Sequence, residues 1–235
     1  MNLKNCIVGL VLISSLSALG QAGLTKFTHP NSPSDTAGSA TDKLIGDGFI
    51  GCGFILGNSM VGDKVIYGQS REFIVGAGVG YRLATWNGFG IDLYYKNTNF
   101  FLVQDSSKIF PTTSLYNNEK VTLDNFGALV FDRFYIKSLF IDAGFYFDWT
   151  FYTKHVTWVN YSTANPNGGS TTINIDEQLV YFNSYNYGLT FRFGKSNGPS
   201  LYFNYRLTNV FDNHFTKFYD LPLPPYVLGI IIGIH

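Results

Sequence analysis

Charge is what this 235-residue sequence has least of. Charged residues make up 14%, against roughly 25% in an ordinary soluble domain. The 16 Lys and Arg equal the 16 Asp and Glu, so the basic surplus of a nucleic-acid binder is missing. Cysteine is nearly absent, with only Cys6 and Cys52, too few for a disulfide scaffold. Long apolar runs are scarce too. Past the N-terminus none reaches the ~18 residues a spanning helix needs, which excludes a polytopic helical membrane protein. No long segment holds a 3.6-residue period. What is abundant is aromatic or small: 22 Phe, 16 Tyr, 3 Trp and 25 Gly. With 46% apolar residues the chain is not disordered. It reads as an all-β protein.

Residues 1–22 read as a secretory signal peptide. Lys4 gives the positive start, Ile7 to Ile13 the apolar stretch, and Ser14 to Ala22 a small, polar end. Cleavage is expected after Gly20-Gln21-Ala22, or alternatively after Ala18-Leu19-Gly20. Cys6 has no apolar stretch before it and does not resemble a lipoprotein cysteine. Once the signal is removed, Cys52 stands alone and no internal disulfide is expected. Residues 23–47 are rich in Ser, Thr, Pro, Asn and Gly and are expected to form a flexible periplasmic tail. The remaining 48–235 form one domain.

From Phe49 the period is two. Eight strands are expected, over 49–58, 71–85, 89–103, 121–136, 139–159, 172–194, 200–211 and 226–235. The connections alternate long and short. The short ones carry turn chemistry, at Trp86-Asn87-Gly88, Lys137-Ser138 and Lys195-Ser196-Asn197-Gly198-Pro199. An antiparallel up-and-down barrel puts all long connections at one end. Transmembrane barrels of the outer membrane have short periplasmic turns and long outer loops. In 139–151 the residues Leu139, Ile141, Ala143, Phe145, Phe147, Trp149 and Phe151 share one face, opposite Asp142, Gly144, Tyr146 and Asp148. Asp132 and Arg133 are adjacent and face opposite ways, so one of them is expected at a membrane boundary.

Period two does not say which face is inside. A soluble lipocalin-like barrel puts its apolar face inward, but needs a charged surface. Here the polar face is mostly Gly, Ser, Asn and Thr, and the other is almost wholly Leu, Ile, Val and aromatic. Such a face suits lipid and not water. The lumen is then expected to have two walls. A glycine wall, nearly without side chains, comprises Gly51, Gly53, Gly76, Gly78, Gly80, Gly229 and Gly233. A polar network comprises Arg82, Asp92, Lys96, Asp142, Tyr146, Asp148, Arg192 and Arg206. A barrel of eight strands is filled by its own side chains, and balanced charges let buried groups pair.

The sequence resembles the PorT-like, Bacteroidetes-type group of eight-stranded outer-membrane β-barrel proteins. The resemblance lies in the signal peptide, the 48–57 strand (Gly-Phe-Ile-Gly-Cys-Gly-Phe-Ile-Leu-Gly), the run from Asp124-Asn125-Phe126-Gly127 to Arg133-Phe134-Tyr135, and the 140–149 strand (Phe-Ile-Asp-Ala-Gly-Phe-Tyr-Phe-Asp-Trp). It covers roughly residues 45–235. It implies an integral protein of the Gram-negative outer membrane, contacting outer-membrane lipid and the barrel assembly machinery. It also implies an envelope or secretion protein as partner, with a role in secretion or envelope assembly. One departure is the C-terminal Ile232-Gly233-Ile234-His235, where such barrels usually carry an aromatic residue.

No motif specifies a reaction. Gly76-Ala77-Gly78-Val79-Gly80 resembles a nucleotide loop but lies inside a strand with no helix after it. His29, His155, His214 and His235 match no zinc spacing. His155, with His214 and Asp212, is a candidate for acyl-transfer chemistry at an outer rim, but no nucleophile stands beside them. Solvated loops are the expectation for these residues. The aromatic groups Trp149, Phe151, Tyr152 and Trp158, Tyr181 and Tyr185, and Trp86 and Phe89 are expected to form interfacial girdles. No catalytic residue, metal or cofactor site is assigned, and no nucleic-acid partner. The expected function is a structural or interaction protein with a closed or nearly closed polar lumen. The alternatives are a narrow passive channel for small solutes and an outer-membrane lipid-modifying enzyme.

Overall fold

In the computed structural model the chain forms a closed, eight-stranded, antiparallel up-and-down β-barrel. The structure describes residues 44–57, 64–161, 170–195, 198–215, 218, 221 and 223–234. The signal segment, the tail up to residue 43, His29, Asn197 and His235 lie outside the described residues.

The barrel strands are β1 (Leu44–Leu56), β2 (Arg71–Arg82), β3 (Asn87–Phe101), β4 (Asn118–Ile136), β5 (Leu139–Tyr161), β7 (Tyr185–Lys195), β8 (Pro199–Arg206) and β9 (Tyr226–Ile234). Each pairs with its sequence neighbours in the barrel, and β1–β9 pairing closes it. β1 starts at Leu44, so the barrel takes in residues 44–47 of the expected tail. Among the described residues there are nine strands, because the expected 172–194 strand is broken. Its first part, β6 (Ser170–Glu177), pairs only with the far end of β5. Gln178 takes a positive φ of 58°, and residues 178–184 leave the ladder before β7 begins. Leu179 and Tyr181 had extended the apolar alternation of β7, which hid the break.

The walls follow from period two. Leu93, Val79, Val130, Phe145, Phe191, Leu201 and Ile232 point outward and are about half exposed. The belt recurs on all eight barrel strands. On β5 it runs from Leu139 to Trp149, about 25 Å of height for a strand tilted ~40°. Asp132 faces outward at the short-turn end and Arg133 inward. The trace of β5 has one irregularity. The register slips between Asp124 and Asn125 of β4, with Phe151 as the extra residue in β5. Below this bulge even-numbered residues of β5 face in; above it Thr153, His155 and Thr157 do. A bulge shifts the alternation by one, and every later side chain changes face.

Candidate functional site

The interior is built in layers along the barrel axis. Nearest the short turns lies a chain of five charges. Arg133 of β4 grips Asp142 of β5 with two bonds, Nε to Oδ1 at 2.7 Å and Nη2 to Oδ2 at 2.9 Å. Arg192 of β7 places Nη1 2.6 Å from Asp92 of β3. Its Nε lies 2.9 Å from Asp142 Oδ2, but at an angle too poor for a hydrogen bond, and its Nη2 has no partner among the described residues. Asp47 of β1 lies 4.0 Å from Arg133 Nη1. Phe131 lies under both guanidinium groups, at 4.4 Å for Arg192 and 5.2 Å for Arg133. Asp142 is completely buried, so this is a desolvated network that depends on full pairing. Beside it is a cavity of about 60 Å³, room for a few waters.

The next charged layer centres on Lys96 of β3. It is ion-paired to Asp148 of β5, lies 3.8 Å from Glu72 of β2 and sits over the Tyr146 ring at 4.7 Å. Tyr94 donates to Asp148 at 2.8 Å. Glu72 accepts from Tyr202 at 3.4 Å and from Asn204 at 3.3 Å. A second cavity, of about 30 Å³, adjoins this layer.

The expected polar residues therefore fall into two separate clusters, with two exceptions. Arg82 joins neither: its guanidinium stacks on Tyr135 at 4.2 Å at the short-turn mouth. Arg206 is close enough to feel Asp148 and Glu72, but its N–H groups donate to the carbonyls of Leu223 (2.7 Å), Pro224 and Thr208. Glu72 and Arg133 were missed, and both are central. The signal for each was period two: Glu72 shares a face with Gly76 and Gly78, and Arg133 with Gly127.

The expected glycine wall is not bare: Gly53 and Gly229 are cross-strand partners, but Gly76 and Gly233 pair with Phe49, Gly51 with Ile74 and Ile231, and Gly78 with Asp47. Between its glycines stand Phe49, Ile74, Val227 and Ile231, all buried and inward. Glycines also line the opposite wall. Their role is local: several of them receive one large side chain. A methyl group at Gly53 would meet the Tyr202 hydroxyl at 2.5 Å, and at Gly76 the Phe49 ring at 2.7 Å. At Gly188 it would meet the Tyr146 hydroxyl at 2.6 Å. Gly78 abuts the Asp92 carboxylate directly, and Gly127 the Tyr94 ring. Gly51, Gly229 and Gly233 lie where β1 and β9 close the barrel. Gly80 faces open space, with nothing nearer than 3.7 Å.

The long-loop end differs most from expectation. Its loops fold inward as an apolar cap. Phe110 is fully buried, with ring centroids of Phe211 at 4.7 Å, Phe218 at 5.3 Å, Tyr181 at 5.8 Å and Phe182 at 6.0 Å. Tyr181 thus belongs to the cap and not to a girdle, and burial pushes its hydroxyl pKa up. Asn183 stitches two cap segments together by donating to the carbonyls of Asn209 and Phe211 at 2.8 and 2.9 Å.

Beneath the cap lies a third charged cluster. Glu119 of β4 is fully buried. It lies 2.6 Å from Lys108 Nζ and 2.7 Å from His155 Nε2, and it accepts from Gln104 at 2.7 Å. His155 is therefore a buried wall residue, not a solvated one, because the Phe151 bulge turned it inward. His214 remains exposed and bonds Asp212 at 2.6 Å, which holds that carboxyl below its ordinary range through the backbone and side chain of His214. The structure does not bring His155 and His214 together. Among the described residues no cluster of His, Cys, Asp or Glu has the make-up of a metal site. Cys52 is exposed on the outer wall. Comparison with protein-family models and with curated proteins finds no match.

Proposed function

We propose that this protein is an integral outer-membrane barrel that does not conduct, and that it acts as a structural or interaction protein through its long-loop end. The carrying observation is the pairing of two surfaces. A half-exposed apolar belt surrounds the barrel, from Val79 and Leu93 to Phe191 and Ile232, and inside it Lys96, Arg133 and Arg192 are paired with Asp148, Asp142 and Asp92. A belt of this kind is unfavourable in water and favourable in lipid. Trp86 stacks on Phe134 at the short-turn edge (6.4 Å), and Tyr205 on Tyr226 near the other (5.0 Å), which suits two interfacial girdles. The signal-like N-terminus accords with export and with insertion by the barrel assembly machinery. Against conduction stand the buried lumen rings Phe131, Tyr94, Tyr146 and Tyr202, packed among the charged groups, and the Phe110 cap above them. The PorT-like resemblance adds a role in secretion or envelope assembly.

The test is twofold. The protein should fractionate with outer membranes, resist high-salt extraction, and migrate differently before and after boiling. Reconstituted in planar bilayers, it should show no current above background. Recovery in the soluble periplasm would overturn the membrane reading. Discrete single-channel steps would replace the closed barrel with the narrow channel.

A further inference from the structure

The outer wall carries a cluster of cations just above the apolar belt. Strand register places it. Arg71 of β2 pairs with Asn99 of β3, Asn99 with Thr122 of β4, and Thr122 with Lys154 of β5. These four outward residues form one row across four strands. Lys120 lies two residues further along β4, on the same face, with its ammonium 5.8 Å from the Phe101 ring. Lys120 feels the repulsion of Lys154, the attraction of Asp124 and the repulsion of Arg71, and with Glu177 counted the cations on this face outnumber the acids by three to two.

Two acids share this face, Asp124, which attracts Lys120, and Glu177, the cross-strand partner of Lys154, and each also accepts from a neighbour. Asp124, below the row, accepts from Tyr95 at 2.6 Å and Asn97 at 2.5 Å. Glu177, beside Lys154 on β6, accepts from Tyr152 at 2.5 Å. Thr122 and Asn99 are tied to each other at 2.9 Å, so the polar floor of the row is fixed. Directly below, Tyr95, Phe126 and Phe151 form a ring cluster on the same outer face, with Phe126 and Phe151 stacked at 4.6 Å. Over a few residues of height the surface therefore changes from aromatic, through the level of Asn97 and Asp124, to the row in which Arg71 and Lys154 flank Asn99 and Thr122, with Lys120 beyond it. That order is complementary to a lipid read from its acyl chain to its phosphate.

We propose that Arg71, Lys120 and Lys154 form a binding surface for the phosphate groups of an outer-leaflet lipid, whose first acyl methylenes lie on Tyr95, Phe126 and Phe151. The inference rests on the outer-membrane reading and on the long loops facing outward. It goes beyond that reading in giving one side of the barrel a preferred lipid. A fixed phosphate relieves the repulsion that Lys154 and Arg71 exert on Lys120 and gains charge-assisted bonds, two of them from the Arg fork.

The experiment uses the full-length protein folded in neutral detergent. Insertion into phosphatidylcholine vesicles is scored first by heat-modifiability. Binding is then titrated with bisphosphorylated lipid A and, as acyl control, with its dephosphorylated form. The variants are R71Q/K120Q/K154Q and, at the opposite end, K137N. The triple variant replaces exposed or half-exposed side chains and should insert normally. Wild type and K137N should prefer the phosphorylated lipid, and the triple variant should bind it on the order of 100-fold more weakly. High salt should weaken wild-type binding and leave the triple variant unchanged. Equal binding by wild type and triple variant, or an equal loss in K137N, overturns the proposal while leaving the membrane reading intact. Failure of the wild type to insert overturns both.

Discussion

The two ends of the barrel interior are held by opposite chemistries. At the short-turn end the side chains are charged and come from strands at alternate positions: Asp47, Asp92, Arg133, Asp142 and Arg192. At the long-loop end, above the buried Glu119–Lys108–His155 cluster, they are aromatic and come mainly from connections: Phe110, Tyr181, Phe182, Phe211 and Phe218. The difference follows from the backbone. Inside the closed ladder every strand amide is already paired, so the lumen tolerates a polar network, provided the network is complete. The cap lacks a continuous ladder, and only short bridges such as Val65–Leu102 and Phe182–Phe211 support it. It has to be stabilised by apolar burial. A fault in the lumen should therefore spread through the whole barrel, whereas a fault in the cap should stay local.

The largest expected effect is at Asp142. It is fully buried and is the acid between Arg133 and Arg192. In Asp142→Ala two guanidinium groups lose their shared counter-charge, and breaking a buried pair this way costs ~3–5 kcal/mol. The urea midpoint of the heat-modifiable form should fall, and all parts of the barrel should lose protection together. An unchanged midpoint would mean that Asp47, Asp92 and cavity water suffice for both arginines.

Phe110→Ala attacks the other end. Removing a fully buried Phe costs ~3–5 kcal/mol at its site, but here the loss should fall on the cap alone. Proteolysis within residues 104–117 and 207–215 should speed up sharply, while the barrel keeps its heat-modifiable migration and its urea midpoint. If cap and barrel melted together, the contrast between the two ends would fail. In a planar bilayer the same variant tests how much of the closure belongs to the cap. The aromatic layers of the lumen should keep the current at background.

The same contrast explains what the sequence made legible. On uninterrupted stretches of strand, alternation is the guide: Asp92, Lys96, Asp142, Asp148 and Arg192 all point in, and Glu72 and Arg133, left out of the expected network, obey the same period. Legibility ended where the period was interrupted without a sequence mark. The Phe151 bulge looks like one more aromatic in a run of aromatics, yet it turns His155 from solvent to the Glu119 carboxylate. Leu179 and Tyr181 kept the alternation going through a break, so a cap segment read as strand. Which neighbour each glycine would serve was also hidden. That Gly188 receives Tyr146 and Gly53 receives Tyr202 depends on strand register, which period two leaves open. Partners for Lys108 and Glu119 were out of reach for a different reason, since one belongs to a connection whose path no periodicity describes.

The smallest effect sharpens the comparison from the cap's side, through its one strongly shifted exposed acid. Asp105 begins the segment that carries Phe110. Its carboxylate accepts from the Ser107 hydroxyl at 2.5 Å, from Lys64 at 3.0 Å and from the Ser107 amide at 2.9 Å. These bonds, the hydroxyl first, lower its pKa from 3.8 to about 2. Because the folded value is the lower one, the tether contributes above pH 3.8 and is lost as pH falls through about 2. The cap should therefore be insensitive to this group from neutral pH down to mild acid. The group is solvent-exposed, so the stability at stake is small and salt-screened, and the clean observable is the titration itself. Carboxyl NMR of the folded protein should place the Asp105 midpoint near 2. Ser107→Ala removes the hydroxyl and keeps the amide, and should raise the midpoint more than Lys64→Gln does. A wild-type midpoint near 3.8 would mean that these bonds do not persist in solution, and the cap would then depend on its aromatic rings, the Asn183 bonds and the Lys108–Glu119 pair.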